Sequence, residues 1–306
     1  MARETFESWI PVEYSGSTIQ RPDQLSLIEQ LSGMPMNSTT KVFPRSGSAS
    51  VGVIAKGSAF PEDAGVNDSV TLTARKLGTA FRIAKEDLED SVNDITTVKK
   101  TEWAVSYSKF IDNAALGVTA AENGTTIPFT SLYRALSTAG GGDANTGYTA
   151  GANITQVSAA GTGVTYASLS NTLSKVEASD WFDQSALQWW MAPQFLALVR
   201  NIVDTQGRPI FDTNPNTGQA QTLMGYPIKW TQGARATAVA SFSPVGNPLA
   251  CLVNPNFLMR GDRSNTETYI DSSASILTDE VLMLFRARKA FKVTVPGAHA
   301  ILELTP

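Results

Sequence analysis

Hydrophobic positions are thinly spread over residues 1–40. One short apolar patch (Leu25, Leu27, Ile28, Leu31) stands among Pro11, Gly16, Pro22, Gly33 and Pro35. So few apolar side chains build no core of their own, and the stretch reads as an extended arm that needs another surface, its own domain's or a neighbour's. Residues 41–72 carry β signals. The run 41–45 leads into Ser46-Gly47-Ser48, and 49–55 follows with Val51, Val53 and Ile54. Gly57, Pro61 and Glu62-Asp63 then mark a loop. The pattern predicts two strands around a Gly/Ser turn, a long hairpin with little to pack against locally, and therefore one that projects.

Alternation resumes over 70–83, where Val70, Leu72, Leu77, Phe81 and Ile83 predict a strand. From about 85 to 117 the period becomes helical. Leu88, Val92, Ile95, Trp103, Tyr107, Phe110 and Ala114 fall in a stripe roughly 120° wide at about 100° per residue. Glu86, Asp87, Glu89 and Asp90 crowd the first turns, where the helix dipole favours negative charge. A continuous helix would span about 50 Å, long enough to be a strut. Between 119 and 165 only Glu122, Arg134 and Asp143 are charged, and Gly140-Gly141-Gly142 and Gly161-Thr162-Gly163 mark flexible points. This insertion is expected to be an exposed loop or a small subdomain. A second α/β region follows to about 254, with a helix over 166–179, a strand over 186–191 and a helix over 193–205. Strand patterns close the chain at 268–270, 281–285, 291–295 and 300–304. No internal repeat is present.

Composition narrows the chemistry more than the fold. With 306 residues, 42% hydrophobic and 17% charged, the chain can fill one large domain or two ordinary ones. It holds one histidine, His299, and one cysteine, Cys251. A structural zinc site that draws on about four Cys/His ligands is nearly excluded, as is an intrachain disulfide. Acid–base or nucleophilic chemistry through histidine would rest on His299 alone. Lys and Arg number 24 against 28 Asp and Glu, a net charge of −4, without the basic face of a duplex-DNA binder. Lys99-Lys100 and the group Arg286, Arg288, Lys289, Lys292 are interleaved with apolar residues and read as solvated faces. No run of about 18 apolar residues predicts a membrane span. The mixed-charge N-terminus lacks the apolar segment of a signal peptide.

Several motifs invite a chemical reading and fail it. Gly140-Gly141-Gly142-Asp143 lacks the Gly-Lys-Ser/Thr end of a phosphate loop and reads as a flexible loop. The carboxylates at 86–90 suit a solvated helical turn better than an acid/base pair. Trp189-Trp190 in a strand must turn at least one ring to a core, so packing is favoured over base or sugar stacking. Arg260-Gly261-Asp262 matches the integrin-binding tripeptide but reads as a β-turn. His299, among Ala298, Ala300 and Ile301, reads as structural, and Cys251, among Leu249, Ala250, Leu252 and Val253, as an inert buried thiol. No catalytic, cofactor-binding or metal residues are assigned.

The order of elements is more telling: arm, projecting hairpin, strand, long helix, inserted α/β region, closing strands. It resembles the major capsid protein of tailed bacteriophages, the Hong Kong 97 fold. Ile54-Ala55-Lys56-Gly57-Ser58-Ala59-Phe60-Pro61-Glu62 looks like the end of that family's E-loop. Val70-Thr71-Leu72-Thr73-Ala74-Arg75-Lys76-Leu77-Gly78, followed by Ile83-Ala84-Lys85-Glu86-Asp87-Leu88-Glu89-Asp90-Ser91, is similar to the strand entering the P-domain spine helix. Trp190-Met191-Ala192-Pro193, Asp204-Thr205-Gln206-Gly207-Arg208-Pro209-Ile210-Phe211 and Leu223-Met224-Gly225-Tyr226-Pro227-Ile228 resemble A-domain segments.

The resemblance implies an α+β chain with an N-terminal arm (1–40) and an E-loop hairpin (41–69). It further implies a P-domain (70–118 and 255–306, spine helix about 85–117) and an inserted A-domain (119–254) with a flexible insertion at about 119–165. It implies a shell of many copies, in hexamers and pentamers, closing around double-stranded DNA touched only non-specifically. Such a protein is a virion component assembled in the host bacterial cytoplasm, without membrane or cofactor. Trp9, Arg45, Lys56, Phe60, Glu62 and Asp63 are its candidate contacts to neighbouring subunits. A portal, a decoration protein and a separate scaffolding protein are the further partners implied, the last because no long charged helical segment precedes the arm. Some family members weld subunits through a lysine–asparagine bond assisted by a glutamate. The corresponding positions here are Phe60, Asp279 and Arg286, with Lys56 out of register, so no crosslink is expected. The alternatives are an encapsulin-type compartment, told apart by nucleic-acid content, and a carboxylate-dependent hydrolase such as a glycosidase, for which no acid pair is evident.

Overall fold

The longest alternation in the chain builds its first sheet. Along β12 (Glu280–Val293), Val281, Met283, Phe285, Ala287, Phe291 and Val293 point inward while Arg286, Arg288 and Lys292 point outward. The two short strands expected at 281–285 and 291–295 are thus one, because the basic residues between them keep the period of two. The computed structural model describes residues 20–21, 25–47, 51–60, 62, 67–91, 94–160, 163–203, 222–275 and 278–306. Among these, β12 lies between β11 (Leu258–Ser275) and β4 (Arg75–Ala84), with β1 (Gly33–Pro35) parallel to β11 at the edge. Arg260-Gly261-Asp262 lies inside β11 and pairs with β1, so the expected β-turn is a strand.

Helix α2 (Ile95–Leu116) packs on this sheet. Trp103 stacks on Phe285 with ring centroids 5.4 Å apart and on Tyr107 at 4.9 Å. The helix expected over 85–117 is broken: α1 (Lys85–Asp90) is separate, and α2 restarts at Asp94. The Asp94 carboxylate accepts from Thr96 N (3.0 Å), Thr97 N (3.4 Å) and the Thr97 hydroxyl (2.6 Å). That cap satisfies backbone donors that a continuous helix would bond internally. The strut is about 33 Å long, not 50 Å. Nor is its burial a single stripe: Ile111 to Leu116 are buried all round, Asp112 and Asn113 included. Gly117 ends the helix where a Cβ would lie 1.9 Å from the Arg235 carbonyl oxygen.

The second sheet runs β5 (Ile154–Ser158), β13 (Ala300–Thr305), β10 (Asn247–Val253), β6 (Gln188–Met191), β8 (Tyr226–Trp230), β7 (Thr222–Leu223), with β9 (Arg235–Ala236) on β10. Both faces of β6 are covered, so Trp189 and Trp190 are both buried. Helix α4 (Tyr166–Glu177) begins in a capping box of Thr165 and Ser168. Helix α5 spans only Phe195–Arg200, and residues 204–205 of the helix expected there lie outside the described residues. β13 joins this sheet rather than the one holding β11 and β12, so the closing segment is shared between the two.

Part of the 119–165 insertion is core. Phe129, Leu132 and Leu136, the last two on α3 (Leu132–Leu136), are fully buried in the same core as Trp189 and Phe195. Residues 138–142, by contrast, are exposed. The hairpin also differs from expectation. β2 (Thr40–Ser46) pairs antiparallel with β3 (Asn67–Thr73), from Thr40↔Thr73 to Ser46↔Asn67. Residues 51–55 form no strand, for they have no ladder partner and their valines face solvent.

Candidate assembly surface

The arm's apolar patch finds its surface within the chain. Leu27, Ile28 and Leu31 are buried, and only Leu25 stays exposed. Asp112 of α2 holds this turn: its carboxylate accepts from the Ser26 hydroxyl, Leu27 N (3.2 Å), Ile28 N (3.2 Å) and the Thr231 hydroxyl (2.6 Å). Burial pushes the Asp112 carboxyl above the usual carboxylate range, and these four donors oppose the shift. Beside it lies a charge cluster. Lys289 Nζ donates to Asp262 (2.8 Å) and Glu29 (3.2 Å), Arg260 bonds the same two carboxylates, and the Tyr107 hydroxyl donates to Glu29 (2.8 Å). Lys289 is therefore buried, a correction to its reading as part of a solvated face. The RGD tripeptide is spent on internal pairs.

The two residues able to do solution chemistry are closed off. Cys251 is buried in β10 and its thiol is pushed up to about 12 by desolvation. His299 is buried with its Nδ1 accepting the Asn254 N–H at 3.2 Å, and burial lowers it to about 3. Among the described residues no group of three or more His, Cys, Asp and Glu could hold a metal ion, and no helix is long and apolar enough to cross a membrane.

Part of what the chain turns outward is apolar. Beyond the β2–β3 hairpin, Val51 and Val53 are fully exposed and Phe60 is 81% exposed, around a turn at Lys56-Gly57. Lys56 and Glu62 are exposed too. Trp9 and Asp63 lie outside the described residues. Arg45 differs from the other candidates, since it bonds Asp68, Asp143 and the Thr294 carbonyl of its own chain. These pairs raise its pKa further and leave no donor for a neighbour. Two outward patches were not anticipated. Val239, Phe242 and Val245 lie on a loop pinned by Asn113, whose Oδ1 accepts from Ser241 N (3.1 Å) and the Thr237 hydroxyl (2.9 Å), and Tyr269 and Ile270 lie on β11. Their sequences read as ordinary strand or core, and no local signal marks them as exposed.

The chain is a mixed α/β fold that leaves bulky apolar side chains exposed on one loop, the kind of surface that marks an interaction site. Residues 9–304 match the model of the phage capsid family, and the chain belongs to that family. It is a structural shell component of the virion, not an enzyme. Solved structures share its fold. One is titled the capsid of an empty GTA particle computed with C5 symmetry (16% identity, TM-score 0.72, covering 98% of this chain and 96% of that one). A second comes from Mycobacterium phage Ogopogo (13%, 0.73, all of both chains). A third comes from Microbacterium phage Oxtober96 (15%, 0.71, 98% and 97%). No curated protein matches the chain.

Proposed function

We propose that this protein is the major capsid protein whose copies, as hexamers and pentamers, close the icosahedral head of a tailed phage or gene transfer agent around double-stranded DNA. The family match over residues 9–304 carries the reading. In finer terms, residues 41–69 are the E-loop hairpin, carrying the exposed loop, α2 is the spine of a P-domain (70–118 and 255–306) built on β4, β11 and β12, and the seven-stranded sheet is the A-domain's, joined by β13 of the closing segment. The exposed loop gains buried area only on a neighbouring subunit. One such contact is modest, but each subunit repeats it under closed symmetry, and the sum stabilises a shell. Lys56, Phe60 and Glu62 are the contact residues on this loop. DNA inside is touched without sequence preference, and a portal, a decoration protein and a scaffolding protein are the further partners this reading brings with it.

Electron microscopy of the expressed protein tests this. Closed shells are expected from the wild type. Phe60→Asp should stop assembly while leaving the subunit's circular dichroism unchanged. A wild type that stays monomeric in sedimentation overturns the reading.

A further inference from the structure

Among the described residues the β2–β3 hairpin shares no ladder with either larger sheet. Two separate seats hold it. Near its root, Leu72 packs with Met36 and Ala290, with Phe43 alongside. At its far end, Arg45 and Asp68 face each other across the two strands and meet the turn that follows Gly140-Gly141-Gly142. Arg45 Nε donates to Asp68 Oδ1 (2.8 Å) and Nη2 to Asp68 Oδ2, while Nη1 and Nη2 donate to the two oxygens of Asp143 (2.7 and 3.0 Å). Asn145 Nδ2 adds a bond to Asp68 (2.8 Å). A cleft of about 610 Å³ opens at the second seat, lined by Arg45, Asp68 and Asp143 with Val70, Thr130 and Lys292. The hairpin is thus tied to its own subunit at two places.

The glycine run explains how Asp143 reaches Arg45. A Cβ on Gly140 would lie 1.9 Å from the Arg134 carbonyl oxygen, and Gly141 sits at φ +81°, where side chains are strained. The Asp143 backbone exchanges both hydrogen bonds with Tyr148 (2.9 Å each), and its Oδ1 accepts from Asn145 N (3.2 Å) and Thr146 N (3.3 Å). A carboxylate held this firmly is a fixed receptor for a guanidinium.

We propose that Arg45 is a positioning residue. With the Gly140–Asp143 turn it latches the hairpin to its own subunit and sets the direction in which the loop at 51–60 meets the next one. This rests on reading that loop as a shell contact. Hydrogen–deuterium exchange on the full chain tests the latch, read at amides 40–46 and 67–73. Arg45→Ala and Gly141→Ala, the second touching neither strand, should each speed exchange there about tenfold, while β10 amides keep wild-type rates. Arg45→Lys should restore part of the protection. Arg45→Met, which keeps the aliphatic bulk but none of the five donors, should expose the same amides as Arg45→Ala, a response that lost packing alone does not give. Hairpin amides at wild-type rates in Arg45→Ala and Gly141→Ala, or wild-type protection in Arg45→Met, overturn the proposal. If one variant fails to fold, the others still decide. Arg45→Ala shells should vary in diameter, and uniform shells of wild-type size overturn the claim about direction. A wild type that never forms shells overturns the capsid reading and leaves the latch standing.

Discussion

His299 gives the sharpest test of how this core is sealed. Its Nδ1 is the acceptor for the Asn254 N–H, and a backbone hydrogen bond to Phe257 favours the charged form only weakly against burial. Protonation would turn that acceptor into a second donor and place a charge in a buried site. Burial accordingly takes the imidazole from 6.5 to about 3 in the folded chain. The unfolded chain therefore binds the proton first. Stability is complete above about pH 6.5 and is lost as pH falls from there toward 3, by about 2 kcal/mol at pH 5 and about 5 kcal/mol at the limit. Because His299 is the only histidine, selective imidazole labelling gives one NMR signal to follow. It should not titrate between pH 8 and 5 in the folded protein. Urea unfolding of His299→Asn, whose Oδ1 can replace the Nδ1 acceptor, should lose about 2 kcal/mol less than the wild type between pH 7.5 and 5. An imidazole midpoint near 6.5, or equal pH slopes in the two proteins, would refute the argument.

Further outcomes follow from other parts of the molecule. Leu132→Ala should cost about 2–5 kcal/mol in denaturant unfolding, because that side chain sits in the main core and not in a surface loop; a cost under about 0.5 kcal/mol would return the insertion to the surface. Lys289→Ala should lower stability by about 3 kcal/mol, since it strips a partner from Glu29 and Asp262, and a thermal melt unchanged from wild type would contradict the pairing. Cys251 should resist a thiol reagent in the native protein and react at once in denaturant, as fits a thiol raised to about 12. Mature particles should run on a denaturing gel as a monomer band near 32.7 kDa, and a ladder would refute the expectation that no crosslinks form.

Features set by neighbouring residues were legible in the sequence. The period of β12, the two tryptophans of β6 and the burial of Cys251 follow from side chains a few positions apart. So does the exposure of Val51 and Val53, which lie in a stretch too poor in apolar residues to cover them. The Asp94 cap was also local and readable, as Asp-Ile-Thr-Thr, yet the apolar spacing across it pointed to a continuous helix and outweighed it. Pairings between distant positions were not legible. Lys289 reads as solvated until Glu29 is brought beside it. The partner of β2 proved to be 67–73 rather than the nearer 49–55: β3 carries Val70 and Leu72, which are buried, Leu72 beside Ala290 of β12, whereas Val51 and Val53 find no such cover.

The same logic accounts for the glycine run at 140–142. As a local motif it signals freedom of the backbone, and a flexible loop is the reading that spacing alone supports. In the folded chain the freedom is used once, to bring the Asp143 carboxylate to Arg45, and is then removed by the bonds to Tyr148, Asn145 and Thr146. Glycine reports which dihedral angles a turn requires, not whether the turn moves. Whether such a segment is rigid depends on an acceptor and a donor that the chain places far apart, and here the donor, Arg45, stands on the β2–β3 hairpin, 98 residues before its acceptor.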